Sequence, residues 1–241
     1  MSNKIKQNNR MSLLDQYRKN GFVSLRNGVD FKKTEIESIR FSGSTDDLIR
    51  ESKDHGAVKA NGDFILNRYS DYADFLCSSG IIRRCESIVG QKVYPRKLAH
   101  LISDSETTKS HPWHRDSYIH RGKQIGPLPP PLKLAVFLTP VNKLTGVTGF
   151  LPGSYHVKIN NRYVDYAYAV LNSFRAVYYE GSVGDAILWD GSVMHHRPKT
   201  RGQTREVVIF NLSLEMPKIK PRSLIYEYER KSAKHRDSFD G

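Results

Sequence analysis

The spacing of apolar residues changes near residue 90. Before that point it is helical. Met11, Leu14 and Tyr17 recur at helix spacing and run into Asn20-Gly21, a helix-ending turn signal, ahead of Phe22-Val23-Ser24-Leu25, which predicts helix, turn and strand. Residues 32–64 mix charge with Gly and Ser and show no clear period. A second helical stretch runs through Tyr72, Phe75 and Leu76 to Ile81, Ile82, Cys85, Ile88 and Val89 and stops at Gly90. After Val93 the chain breaks into short β-type runs at 97–103, 132–139, 147–151, 176–179, 186–189 and 205–214, with one helix-like interruption at 165–171. Gly- and Pro-rich separators at 126–131, 152–154, 180–182 and 201–203 make this an antiparallel β signature. The expected fold is mainly β with flanking helices, around a double-stranded β-helix (jelly roll, cupin-like) core at about 93–214. That core falls within one domain at 11–216, after a disordered polar N-terminus at 1–10 and before a basic C-terminal tail at 217–241.

With 241 residues the chain is long enough to bury a core without disulfides. Its two cysteines, Cys77 and Cys85, lie on or beside buried helix surface, where a small inert hydrophobe is the expected role. No apolar run of signal-peptide or membrane-span length occurs, so a reduced, cytoplasmic setting without a membrane is expected. The formal net charge of +13 raises nucleic acid, anionic lipid or an acidic small substrate as partners. Much of it is peripheral: Lys4, Lys6 and Arg10 lie in the first ten residues, and the tail from Lys218 holds seven bases against four acids. Charges elsewhere are interspersed and no RNP-like aromatic motif or zinc knuckle is present, which disfavours a nucleic-acid-associated binding protein but keeps it as the alternative.

The segment His111-Pro112-Trp113-His114-Arg115-Asp116 sets His114 and Asp116 two residues apart, so on extended backbone both side chains leave the same face. The block from Gly184 through Asp190 to His195 offers a third donor. Two imidazoles and one carboxylate make the facial triad of non-haem Fe(II) oxygenases, with open positions for co-substrate and dioxygen. Competing readings fail: the kinase catalytic loop also reads His-Arg-Asp, but no Gly-rich loop or Asp-Phe-Gly accompanies it, and the cysteines have the wrong spacing for thiolate zinc. Arg205 lies ten residues after His195 and opens a strand. If His195 ends one strand and Arg205 begins its antiparallel partner, with a turn at 200–202, the guanidinium returns to the pocket and presents a planar fork to a carboxylate. The competing role for Arg205 is an ion pair with Glu206 or Asp190.

Taken in order, the His-x-Asp at 114–116, the block Thr145-Gly146-Val147-Thr148-Gly149-Phe150-Leu151-Pro152-Gly153-Ser154-Tyr155-His156, Gly184-Asp185 with a histidine ten past the Asp, and Arg205 resemble the phytanoyl-CoA dioxygenase family. The openings Tyr17-Arg18-Lys19-Asn20-Gly21-Phe22-Val23 and Ile88-Val89-Gly90 are similar to it as well. That resemblance implies an Fe(II)- and 2-oxoglutarate-dependent dioxygenase that uses O2 and releases succinate and CO2. It implies His114, Asp116 and His195 as the catalytic metal ligands and Arg205 as the residue for the distal carboxylate of 2-oxoglutarate. Three departures stand out: Tyr155 takes a position usually held by His, with His156 one later; Arg201 competes with Arg205; and His196 competes with His195. An Asp at 116, where related halogenases carry a small residue, argues for hydroxylation, with desaturation or cyclisation using the same ligands. Tyr118, His120 and Lys133 are the substrate-facing candidates, Trp189 is expected to pack, and 117–131 reads as a lid over a compact ligand. Arg115 and Arg197 beside the ligands would make the pocket mouth basic, which hints at an acidic small-molecule substrate.

Overall fold

The computed structural model describes residues 11–25, 33–43, 48–50, 58–60, 62–103, 110–120, 123–125, 131–159 and 161–237. The expected disordered stretch 1–10 and much of the expected lid, 121–122 and 126–130, lie outside them. Thirteen strands are described: β1 Phe22–Ser24, β2 Leu48–Arg50, β3 Val58–Ala60, β4 Tyr94–Ser103, β5 His111–His114, β6 Tyr118–His120, β7 Lys123–Ile125, β8 Leu132–Phe137, β9 Gly149–Phe150, β10 Val177–Tyr178, β11 Ala186–Asp190, β12 His195–Arg197 and β13 Arg205–Ser213. The helices are α1 Leu13–Asn20, α2 Lys33–Ile39, α3 Gly62–Asn67, α4 Tyr69–Ser78, α5 Ile81–Val89, α6 Arg162–Leu171 and α7 Leu224–Asp237.

All strand pairings are antiparallel. A seven-stranded sheet in the order β1-β11-β8-β13-β4-β3-β2 faces a four-stranded sheet, β10-β9-β12-β5, and β6 and β7 form a separate hairpin. This is the jelly-roll core. The central strands are apolar on both faces because both faces are covered. Along β8, Leu134 and Val136 pack outward against Tyr72, Phe75 and Leu76 of α4 and Ile81, Ile82, Cys85 and Ile88 of α5, whereas Ala135 and Phe137 point between the sheets toward Phe150, Ile187, Trp189 and Val207. β13 alternates likewise: Val208, Phe210 and Leu212 meet the helices, while Arg205, Val207 and Ile209 face inward. Glu206 therefore points to the helical side. Its Oε1 lies 2.9 Å from His100 Nε2 and accepts the Phe41 amide at 2.6 Å, and His100 Nδ1 is 2.8 Å from the Tyr72 hydroxyl. The competing ion pair of Arg205 with Glu206 is thus absent, because adjacent strand residues leave opposite faces.

The N-terminal expectation of helix, turn and strand matches α1, Gly21 in the left-handed region at φ 81°, and β1. The long helix expected from Tyr72 to Gly90 is instead two helices, because Ser79 closes α4 and Gly80, at φ 65°, starts α5 in a new direction. Both cysteines are free thiols, and burial pushes Cys77 up to about 11 and Cys85 up to about 12, in line with inert packing. The expected basic tail is not simply a tail: Leu224 and Ile225 of α7 are buried, Lys231 pairs with Asp74, and the helix packs on α4 and β4.

Candidate metal centre

His114 and His195 meet because β5 and β12 pair in a register that sets them directly opposite each other. Each Nδ1 lies 2.9 Å from the carbonyl two residues earlier, Pro112 for His114 and Val193 for His195. A carbonyl can only accept, so each Nδ1 carries the proton and each Nε2 presents its lone pair. Asp116 comes just past the end of β5 in a bend rather than on extended backbone, held by its amide donating to Gly191 O at 2.8 Å. Its Oδ2 lies 3.7 Å from His195 Nε2, and one ligand atom from each of His114, Asp116 and His195 falls within 4.8 Å of the others.

Electrostatics favour the metal-ready forms. Burial, with His195 nearby, pulls His114 down to about 3, and burial likewise lowers His195. Asp116 is burdened most by its own desolvation, but His195, Lys133 and His114 together outweigh that and hold its carboxyl below the usual range. Two neutral imidazoles and a carboxylate are a donor set suited to a ferrous ion. A metal also answers an otherwise unexplained atom, the buried Asp116 Oδ2, which has no hydrogen-bond partner among the described residues. The residues present fit an iron ligand set.

These groups line a cavity of about 500 Å³ between the sheets. In its lining Arg205 is 5% exposed and donates from Nη2 to Thr148 Oγ1 at 3.2 Å, while its Nε has no partner among the described residues; burial first, and then Arg197, pulls the guanidinium down to about 9. Arg205 reaches the cavity across the sandwich and not through a hairpin. His195 opens β12 in the small sheet and Arg205 opens β13 in the large one, a correction to the expected pairing of the two strands. Arg201 is exposed and outside the cavity. His196 lines the cavity but stacks on Trp113 and places Nε2 2.9 Å from the Tyr178 hydroxyl, away from the triad. Tyr155, in the position of the family histidine, bonds to Arg18 O, and His156 stacks on it outside the cavity.

The expected basic mouth needs correcting. Arg115 points away from solvent and clamps Asp165 of α6 with two bonds at 2.8 and 2.9 Å, while its Nη1 donates to the carbonyls of Ser154 and Ser192. Arg197 is buried near Arg205 and donates to Ser103 and Thr200. The open side is instead marked by Lys133, whose Nζ is 3.4 Å from Asp116 Oδ1. Tyr118 and His120 lie on β6, and their side chains fall outside the described residues. Trp189 both packs and lines the cavity, its ring edge-on to His195 at 5.8 Å. Sequence reasoning missed His111, Thr148, Asp165 and Asn211. Only Asn211 carried a signal, as a polar residue at the inward phase of the apolar strand 205–213.

A family model, phytanoyl-CoA dioxygenase (PhyH), matches residues 17–204. No curated protein sequence matches the chain. Among solved structures it is similar to EctD from S. alaskensis with bound Fe (15% identity, 93% of this chain and 86% of that one, TM-score 0.62). It is also similar to AviO1 from Streptomyces viridochromogenes Tue57 (17%, 88% and 99%, 0.59). A third similar structure is HygX from Streptomyces hygroscopicus with nickel, 2-oxoglutarate and hygromycin B bound (15%, 82% and 84%, 0.56). At these identities the structural likeness speaks for the fold. The family match spans most of the chain, from α1 through both candidate histidines, and the chain therefore belongs to the phytanoyl-CoA dioxygenase family of Fe(II)- and 2-oxoglutarate-dependent oxygenases.

Proposed function

We propose that His114, Asp116 and His195 hold Fe(II), that Arg205 receives the distal carboxylate of 2-oxoglutarate, and that the chain hydroxylates an unactivated C–H bond of a small metabolite. The observation that carries the reading is the convergence of three ligand atoms beside a buried arginine whose Nε has no partner. Bound iron would supply the site at which dioxygen is reduced, with two electrons coming from 2-oxoglutarate as it loses CO2 and two from the substrate C–H bond, so that one oxygen atom ends in succinate and the other in the substrate hydroxyl. The protein's own work is positioning. The Pro112 and Val193 carbonyls fix the two ring orientations, and Arg205 with Thr148 sets the depth at which the keto acid sits. Phe137, Phe150 and Ile187 keep the intervening wall dry. Asp116 fills the third protein position, which favours hydroxylation over halogenation. A cavity between two sheets suits a compact ligand better than a nucleic acid, and no helix among the described residues is long and apolar enough to cross a membrane. The inert thiols agree with a reducing, cytoplasmic setting.

The test is anaerobic Fe(II) titration followed by exposure to oxygen with 2-oxoglutarate, reading bound metal and succinate. The wild type is expected to bind one iron and form succinate, and His195→Ala to lose both. Full iron binding by His195→Ala would overturn the ligand assignment.

A further inference from the structure

Four buried side-chain atoms among the described residues lack a hydrogen-bond partner: Asp116 Oδ2, Arg205 Nε, Trp189 Nε1 and Asn211 Oδ1. All four residues line the same cavity. The reading above uses the first two, for metal and co-substrate. The indole N–H and the amide oxygen remain, and each orphaned polar group in an interior costs stability unless a ligand meets it.

The strand registers bring these two together. On the inner face of the large sheet, Trp189 of β11 pairs with Lys133 of β8, and Lys133 pairs with Asn211 of β13, so the three stand side by side in one row. The next pairing extends the row to exposed Lys97 of β4 at the rim. Arg205 stands six residues from Asn211 on the same strand, about 20 Å away along it. Between them the inner face is apolar, with Ala135, Ile187 and Ile209. The cavity thus has two separate polar ends. Exposure is greatest around Lys133: the Asp116 and Lys133 side chains keep 23% and 15% of their surface, whereas Trp189 in the same row keeps 4% and Arg205 5%. The row thus joins a buried indole to a partly open edge at Lys133 and exposed Lys97.

Charge points the same way. Asp165 balances Arg115, and Arg197 lies near Arg205, donating to Ser103 and Thr200. Lys133 is the cation nearest the triad, 3.4 Å from Asp116 Oδ1, and once a ferrous ion takes up the Asp116 charge the Lys133 ammonium is left for an anionic group of the substrate. Lys133 and the unsatisfied indole N–H of its cross-strand neighbour Trp189 supply two donors for the two oxygens of one carboxylate. Asn211 Oδ1 beside them accepts from an adjacent hydroxyl or ammonium group.

We propose that Trp189, Lys133 and Asn211 form the prime-substrate subsite, and that the substrate is a small carboxylic acid with a hydroxyl or amino group next to the carboxylate. This rests on the iron and 2-oxoglutarate reading and names the substrate class for that site.

The probe is a panel of small amino and hydroxy acids, each matched with its neutral carboxamide. They are titrated into wild-type protein loaded with redox-inert Ni(II) and saturating 2-oxoglutarate, with melting temperature and metal absorption as readouts. At least one acid is expected to raise the melting temperature and perturb the absorption, with its amide at least about tenfold weaker. Lys133→Met should weaken that acid about tenfold or more and 2-oxoglutarate far less, and Trp189→Phe should weaken the acid severalfold. No acid outperforming its amide overturns the proposal, as does a Lys133→Met loss that falls on 2-oxoglutarate instead. Failure of the wild type to take up Ni(II) and 2-oxoglutarate at all would overturn the underlying reading of the site, a distinct result.

Discussion

Arg115 and Arg205 are both buried arginines beside one cavity, and their surroundings differ in kind. Arg115 has its charge matched by both oxygens of Asp165, and the carbonyls of Ser154 and Ser192 take further protons. That one guanidinium ties together the loop between the first two ligands, the Pro-Gly-Ser block, the turn before His195 and helix α6. Among the described residues Arg205 has one hydroxyl, Thr148 Oγ1, and an Nε with no partner. A fully satisfied buried cation holds structure together, whereas an undersatisfied one is destabilising until a ligand arrives. The contrast separates scaffold from binding site without reference to any relative.

The sharpest way to break this comparison is to remove each charge in turn. Asp165→Asn strands the Arg115 charge and should cost about 3–5 kcal/mol of stability, read by urea unfolding. A cost near zero would show that Arg115 is not the clamp. Arg205→Met should reverse the pattern: the melting temperature holds or rises, while 2-oxoglutarate binding to the metal-loaded protein weakens about 30-fold or more. Equal losses of stability in both variants would erase the distinction.

A pH series bears on the neutral imidazoles between those two arginines. His114 and His195 both hold their pKa below the ordinary 6.5, His114 near 3. As pH falls through 6.5 the unfolded chain takes up protons that the folded one refuses, so stability that is full above 6.5 is lost progressively toward pH 3. Unfolding of the metal-free protein at several pH values should show this loss, and it should be smaller in His114→Gln. An identical pH dependence in the two proteins would contradict the buried neutral His114. The smallest effect belongs to Thr148→Val, which removes the hydrogen-bond partner that Arg205 has among the described residues. It should cost about 1 kcal/mol in 2-oxoglutarate affinity, severalfold by titration.

Much of this was legible in the sequence, for identifiable reasons. The apolar runs at 132–139, 186–189 and 205–214 announced short antiparallel strands, and the structure places β8, β11 and β13 there. His114, Asp116 and His195 were legible as a set because a two-residue spacing and a turn-strand-turn block restrict where three donors can go. Their meeting point was not, since it depends on β5 pairing with β12 across 80 residues of chain. Short strands such as β5 and β12 show too few alternations to register as strands. The break at Gly80 left only a slip of the apolar face, from Tyr72, Phe75 and Leu76 to Ile81, Ile82, Cys85 and Ile88, with too few polar residues between to read as a loop. The partner of Arg115 lay in a helix 50 residues away, and nothing local marks Asp165 as its counter-ion.

Arg205 and Glu206 are consecutive, yet one faces the cavity and the other is fastened by His100 and the Phe41 amide beneath the helices. Inserting or deleting a residue within 198–204 can be absorbed only if the connecting turn takes up the slack. Slipping the strand by a single step would swing an acid into the keto-acid pocket and drive a guanidinium among the aromatic rings outside it. The strand's frame is thus guarded at both surfaces at once, so length variation among relatives should collect in that turn and stop short of Arg205.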